Sequence, residues 1–406
     1  MTPISPKWGF TCLFPEIRVL FKGMPGSWQH RHHLVFCWLI IMQIVTSGAR
    51  TLTGLSRLAP RFITAWRFRR LLNAGYWQLK VLLRWFAEKT MKALPAPDNK
   101  VLYLIADGSK KDKRGQKNPA AQKGRLSEHQ AWFFGIKFVV LMVAWEGYRL
   151  PVDFEIVRPK GHPDYQKENE LFRLMLSHFQ PPAWAEVVIV LGDAAFAAKE
   201  NMQMIQARDK ADPHRRWSFI FAIARTWNME NGRSLKNLVK HTPHSCYRRT
   251  WIERLPGHRG RKTFWIFEKC TRLKHLGDVI VVLSKKRRNL GPRKTKLLVT
   301  NLLELSGRQV ISLYQRRWAI EILFKELKFG LGLGEHQVTK KLPRIEKSLG
   351  IALIAYLLLL RARKDDLKPG EPWSIFQLKT NFTLALMQKQ FQHSLQLEVN
   401  KSIKAA

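Results

Sequence analysis

Acidic residues are scarce: the 406-residue chain holds 30 Asp plus Glu against 70 Lys plus Arg, a formal net charge of +40. That imbalance exceeds what solubility requires, and it leaves a polyanion as the natural partner. Cysteine is nearly absent. The four present, Cys12, Cys37, Cys246 and Cys270, include no Cys-x-x-Cys pair, so neither a zinc site nor a disulfide framework is indicated, and a reduced, cytoplasmic setting is expected. Long apolar runs are missing too. Crossing a bilayer takes about 20 apolar residues; the best run, Leu34 to Val45, is shorter and includes Gln43. It reads as a buried helix, and no membrane partner is expected. The first residues also lack the charged start, apolar core and small-residue cleavage site of a secretion signal. What is plentiful is material for a core: 46% of residues are hydrophobic and 11% aromatic, enough for two or three structural units.

Residues 1–95 carry 14 lysines and arginines against Glu16 and Glu88, with apolar residues at helical spacing from about Leu34 to Leu94. This predicts a basic α-helical DNA-binding domain. Between Thr51 and Trp85, short helices broken near Gly54, Pro60 and Gly75 cluster Arg57, Arg61, Arg67, Arg69 and Arg70. They read either as a helix-turn-helix or as a bundle whose arginines solvate its outside. From residue 96 the period changes. Val101–Ala106, Phe134–Trp145 and Leu150–Val157 read as strands, Leu171–Phe179 as a helix and Val187–Leu191 as a buried strand. That order suits a mixed α/β sheet of the ribonuclease-H kind, assigned to residues 96–217. Residues 218–303 then read as a β-rich insertion, with strands at Ser218–Arg225, Tyr247–Leu255, Thr263–Leu273, Val279–Leu283 and Lys296–Leu302. Residues 304–365 return to the core with a long helix from Arg308 to Phe329 and an apolar helix from Ile345 to Ala362. Residues 366–406 remain as a tail, a candidate for dimerisation.

Asp107 directly follows the apolar strand Val-Leu-Tyr-Leu-Ile-Ala, and Asp193 follows Val-Val-Ile-Val-Leu-Gly. A single acid in such a place usually caps a turn. On the late helix, Tyr314, Arg317, Glu321 and Lys328 fall within a stripe of roughly 60° at about 100° per residue, while Ile320, Leu323 and Leu327 face the core. A solvated helix face with chance spacing would explain the stripe but not the aspartates. Glu326, about 140° round the helix from Glu321, reads as uninvolved in chemistry.

The run Tyr314-Gln-Arg-Arg317-Trp-Ala-Ile-Glu321-Ile-Leu-Phe-Lys-Glu-Leu-Lys328 resembles the Tyr-x2-Arg-x3-Glu-x6-Lys signature of a large family of bacterial insertion-sequence DDE transposases. Asp107-Gly-Ser109 and Asp193-Ala-Ala-Phe196 resemble that family's two aspartate blocks, with Ser109 where threonine is usual. The resemblance spans about Val101 to Gln337. It implies a ribonuclease-H-like core with a β insertion, and a catalytic, metal-binding triad of Asp107, Asp193 and Glu321. By the same resemblance, water attacks first to free a 3′-hydroxyl at the element's end, and that hydroxyl then attacks target DNA. Two divalent ions can activate the nucleophile and stabilise the leaving oxygen. Hard carboxylate ligands favour Mg²⁺, replaceable by Mn²⁺.

Tyr314, Arg317 and Lys328 are expected to position DNA phosphates. Lys110, Lys111, Lys113 and Arg114, in an expected loop with Lys117, Lys123 and Arg125, are expected to bind the flanking backbone. Trp251 and Trp265 are candidates for stacking on an extruded base, although strand aromatics more often serve the core. The implied partners are double-stranded terminal inverted repeats and target DNA, engaged by a homodimer in a nucleoid-associated bacterial setting. Two other readings share the composition: a different ribonuclease-H-like nuclease or integrase, disfavoured by the Tyr-Arg-Glu-Lys helix, and a non-catalytic DNA-binding descendant, disfavoured by the presence of all three carboxylates.

The charge predicts a measurable behaviour. DNA binding should weaken steeply with salt, because each neutralised phosphate of a duplex contributes roughly −0.9 to the log-log slope. An affinity that stays level between low and physiological salt would contradict this reading.

Overall fold

The computed structural model describes residues 13–48, 50–113, 118–125, 132–253, 260–336, 338 and 340–405. Five helices come first: α1 (Pro15–Val19), α2 (His30–Val45), α3 (Leu52–Leu58), α4 (Ala65–Asn73) and α5 (Leu79–Ala93). There follow β1 (Val101–Asp112), β2 (Ala121–Arg125), β3 (Trp132–Trp145), β4 (Tyr148–Val157), α6 (Glu168–His178), β5 (Val187–Gly192), α7 (Lys199–Ala211) and β6 (Arg216–Ala222). Next are α8 (Leu235–His241), β7 (Arg248–Glu253), β8 (Arg261–Leu273), β9 (Gly277–Lys285) and β10 (Lys296–Thr300). The chain ends with α9 (Gly307–Tyr314), α10 (Ala319–Lys325), α11 (Leu342–Ala362) and α12 (Ile375–Ala405).

Among the described residues the strands form one ten-stranded mixed sheet in the order β2-β3-β1-β5-β6-β10-β9-β8-β7, with β4 also paired to β3. β1, β5 and β6 are mutually parallel, and β5 and the part of β1 paired with it, Val101–Ile105, are apolar, as strands covered on both faces must be. β3 joins β4 through Glu146-Gly147, both with positive φ (41° and 88°). That is the tight two-residue turn whose twist matches a hairpin, and the second position favours glycine. The strand expected at Ser218–Arg225 is β6, which pairs parallel to β5 on one side and antiparallel to β10 on the other. The hairpin strands β7 to β10 thus extend the central sheet rather than closing on themselves.

α2 is buried from Val35 to Val45, as its uncharged run requires. With α5 it packs on α11, which is buried along most of its length, and α5 also covers β4. No helix among the described residues is long and apolar enough to cross a membrane. Cys37, Cys246 and Cys270 are free thiols.

The helix expected from Arg308 to Phe329 is not uniform. α9 tightens into a 3-10 turn at Gln315–Trp318, resumes as α10, and loosens into a π turn at Glu326–Gly330. Its start is held by a capping box between Ser306 and Gln309 and by the Glu268 carboxylate, which accepts from the Gly307 amide. Its end is held from α2 and the segment after it. Arg50 donates to the Gly330 carbonyl (2.7 Å), and buried Gln43 donates to the Leu331 carbonyl and contacts His336 Nε2 (2.7 Å). These groups satisfy carbonyls that a helix terminus leaves without partners.

Glu326 has a structural role that the helical period does not reveal. It does point away from Glu321, but into the core, where both its oxygens bind Arg149 (2.7 and 3.3 Å) and Tyr356 donates to it at 2.9 Å. The Arg149 guanidinium also lies 3.8 Å from the centre of the Trp373 ring. Removing one member of a buried pair leaves an uncompensated charge and costs about 3–5 kcal/mol. Glu326→Gln should therefore lower stability by an amount of that order, measured by urea denaturation. A variant as stable as the parent would show that the buried Arg149 charge does not depend on the Glu326 carboxylate.

Candidate active site

β1 runs parallel to β5 only as far as Ile105, opposite Leu191, and then continues against β3 alone. Asp107, opposite Val140, therefore sits within the strand rather than after it, just where its edge toward β5 becomes unpaired. Asp193 follows Gly192 at the end of β5. The carboxyl ends of adjacent parallel strands are where open α/β sheets form crevices. Asp193 Oδ1 accepts from the Ala195 amide at 2.9 Å, a local turn bond. Asn169 and Asn201 donate to the Ala195 and Phe196 carbonyls (3.1 and 2.8 Å), so the turn is held from α6 and α7.

Glu321 comes from the first turn of α10. Arg317, in the 3-10 turn, joins the sheet to the helix: Nη1 donates to Asp107 Oδ2 at 3.2 Å and Nη2 to Glu321 Oε1 at 2.6 Å. Burial opposes its charge, but Tyr314, Glu321 and Asp107 together raise its pKa above the ordinary value. The Asp107 carboxyl is pushed up to about 6, first by burial and then by repulsion from Asp193, with Arg317 opposing. Tyr314 is pushed up to about 12, chiefly by burial, so its phenol stays protonated. The structure therefore brings Asp107, Asp193, Glu321, Tyr314 and Arg317 together. Among the described residues no group of three His, Cys, Asp or Glu side chains is arranged to hold a metal ion; Asp107 and Glu321 instead hold the Arg317 guanidinium.

Lys328 lies in the π turn, beside Lys111 and Asp112 of the strand that bears Asp107. Burial, then repulsion from Lys111, lowers its pKa, while Asp112 opposes. Lys110 and Lys111 belong to β1, not to a loop. Lys110 packs 4.7 Å over the Phe133 ring, and Lys113 turns inward to donate to the Gly334 carbonyl at 2.7 Å. Arg114 and Lys117 lie outside the described residues. Trp251, on edge strand β7, is 48% exposed with Arg249 near its ring, whereas Trp265 is half-buried beside Arg288.

One neighbour escapes the sequence reading. A Cβ on Gly108 would lie 2.8 Å from Glu168 Oε2, so the glycine beside Asp107 makes room for a further carboxylate, which is paired with Lys137. The only signal in the sequence is its place at the start of α6, which equally fits an ordinary helix-capping acid.

Residues 92–358 match the transposase DDE domain family. That is well over half of the chain, and the chain belongs to this family. Among solved structures it is similar to the piggyBac transposase synaptic complex with hairpin DNA, at 11% identity and a TM-score of 0.45, over 94% of this chain and 77% of that one. No curated protein matches this chain.

The raised Asp107 pKa has a sign that can be tested. A carboxyl with a higher pKa folded (about 6) than its ordinary 3.8 favours the fold while protonated, and that advantage is lost as pH rises between the two values. Without divalent ions, Asp107→Asn should therefore melt at or above the parent's Tm at about pH 8, with the difference shrinking toward about pH 4. A clear loss of Tm at the higher pH would mean that the Arg317 ion pair outweighs the burial of the charge.

Proposed function

We propose that this chain is a cut-and-paste DNA transposase of the Tyr-x2-Arg-x3-Glu-x6-Lys insertion-sequence type. In this reading it cleaves the ends of its element and joins them to target DNA. The observation that carries it is the approach of Asp107, Asp193 and Glu321 from two neighbouring strands and one helix, with Asp107 and Glu321 both paired to the guanidinium of Arg317 and the Asp193 charge acting on Asp107. The sheet order β4-β3-β1-β5-β6, with three antiparallel strands followed by two parallel additions, supports a ribonuclease-H-like core.

Carboxylate oxygens are the donors a hard divalent ion takes, and Asp107 and Glu321 would have to release Arg317 to hold one. Burial and the Asp193 charge make positive charge favourable beside Asp107, and Arg317 supplies some of it here. Asp107, Asp193 and Glu321 would hold Mg²⁺, or Mn²⁺ in its place. When bound, such ions supply activation of an attacking oxygen and stabilisation of a leaving one. Arg317 would exchange its carboxylate partners for a DNA phosphate, which a guanidinium binds bidentately. Tyr314 keeps its proton and would donate to the same backbone. Lys328 and Lys111, whose like charges repel, would each gain from a phosphate between them. A homodimer on paired DNA ends and a nucleoid-associated, bacterial setting complete the reading.

Purified protein with its end duplex should nick in Mg²⁺ or Mn²⁺ and be inactive in EDTA. Asp107→Asn, Asp193→Asn and Glu321→Gln should each lose cleavage and strand transfer by orders of magnitude while keeping end binding in gel shifts. Cleavage in chelator, or a Glu321→Gln protein that cuts like the parent, would refute the assignment.

A further inference from the structure

Away from the carboxylates, α2, α4 and the turn after α4 enclose a cleft of about 480 Å³. Its walls include Arg31 and His32 of α2, Trp66, Arg67 and Arg70 of α4, and Tyr76, and its lining contains no acid. The rings are arranged as surfaces. His32 stacks on Tyr76 with centroids 4.8 Å apart and planes 15° from parallel, and the Arg70 guanidinium lies 5.3 Å from the centre of the Trp66 ring. Trp66 is nevertheless 60% exposed. Burial and the nearby Arg31 and Arg70 charges lower the His32 pKa, so at neutral pH the stacked ring adds aromatic surface rather than charge.

Exposed tryptophan beside unopposed guanidinium groups is poor design for a core and good chemistry for a nucleotide. Bases stack on aromatic faces whatever their sequence, and phosphates are bound by the arginine fork. The volume lies within the range of small-ligand pockets, about 300–1,000 Å³. It would admit one nucleotide but not a base-paired duplex. The scaffold is firm: Phe68, Leu71 and Leu72 of α4 are buried, and Lys347 of α11 donates to the Ala74 carbonyl at the cleft's edge.

We propose that this cleft is a subsite for one unpaired nucleotide of DNA, with the base stacked on Trp66 and the flanking phosphates held by Arg31, Arg67 and Arg70. The proposal rests on DNA being the substrate, as argued above, but not on the carboxylates being catalytic. It distinguishes this face of α4 from a helix that merely lies in a groove, for which an exposed indole between arginines would have no special use.

The test measures anisotropy of labelled oligothymidine and of a fully paired duplex of equal length, using the full chain. Trp66→Ala should weaken oligothymidine binding by roughly tenfold, the usual scale for losing one stacked base, and leave duplex binding within about twofold. Trp66→Phe should restore most of the loss. Arg70→Gln should flatten the salt dependence of oligothymidine binding by roughly 0.7 in log-log slope, one phosphate on a single strand. Trp66→Ala binding oligothymidine like the parent, or losing both ligands by the same factor, would overturn the proposal. Asp107→Asn separates the two readings: if it still cleaves while Trp66→Ala loses only oligothymidine, the triad assignment fails and the subsite stands. A parent that cleaves end duplex but does not bind oligothymidine overturns the subsite and leaves the triad standing.

Discussion

A carboxyl group held partly out of water, with other carboxylates near enough to repel it, is the constraint on which this site depends. Asp107 cannot lose its proton at its ordinary pH because burial, Asp193 and Glu321 oppose the charge. What offsets that is one guanidinium, which pairs with Asp107 on the strand and Glu321 on the helix. Such an arrangement opposes stability, because like charges held partly out of water repel, and carboxyl groups perturbed in this way are characteristic of functional sites.

Much of the fold and the site is legible in the chain because it depends on local rules. Apolar runs ending in Asp107 and Asp193 mark strands that enter a crevice, and the order of strands and helices predicts a mixed α/β sheet. The spacing of Tyr314, Arg317 and Glu321 survives because all three precede the π turn. What fails does so for tertiary reasons. The apolar run of β1 suggests an end at Ala106, but pairing with β3 carries the strand on to Asp112, which turns expected loop lysines into strand residues. A uniform helical period cannot foresee a 3-10 turn followed by a π turn, nor that Lys328 sits beside Lys111 and Asp112. Nothing local distinguishes Glu326 from a solvated acid, since its partners Arg149 and Tyr356 come from distant parts of the chain.

The winding of the late helix has a physical logic. The tight turn at Gln315–Trp318 delivers Arg317 toward Asp107, while the loose turn at Glu326–Gly330 directs a carboxylate into the core and meets Arg50 and Gln43 at its end. Departures of this kind cost backbone hydrogen-bond quality and persist where the surroundings hold them in place. Here a cap grips one end, and buried polar groups grip the other.

That second grip joins regions that composition alone would separate. α2 carries Arg31 and His32 near one end and Gln43 near the other, about 16 Å along a helix that rises 1.5 Å per residue. Gln43 is bonded to the segment that terminates the helix bearing Glu321. Because the side chains along α2 are close-packed against α11, displacement of the helix cannot be absorbed by a loop and must be passed on. DNA seated against the basic face of α4 would thus be held in a fixed relation to the carboxylates. Under the proposed function, that connection would bear on which bond is presented, separately from how strongly the charged surface attracts the polymer.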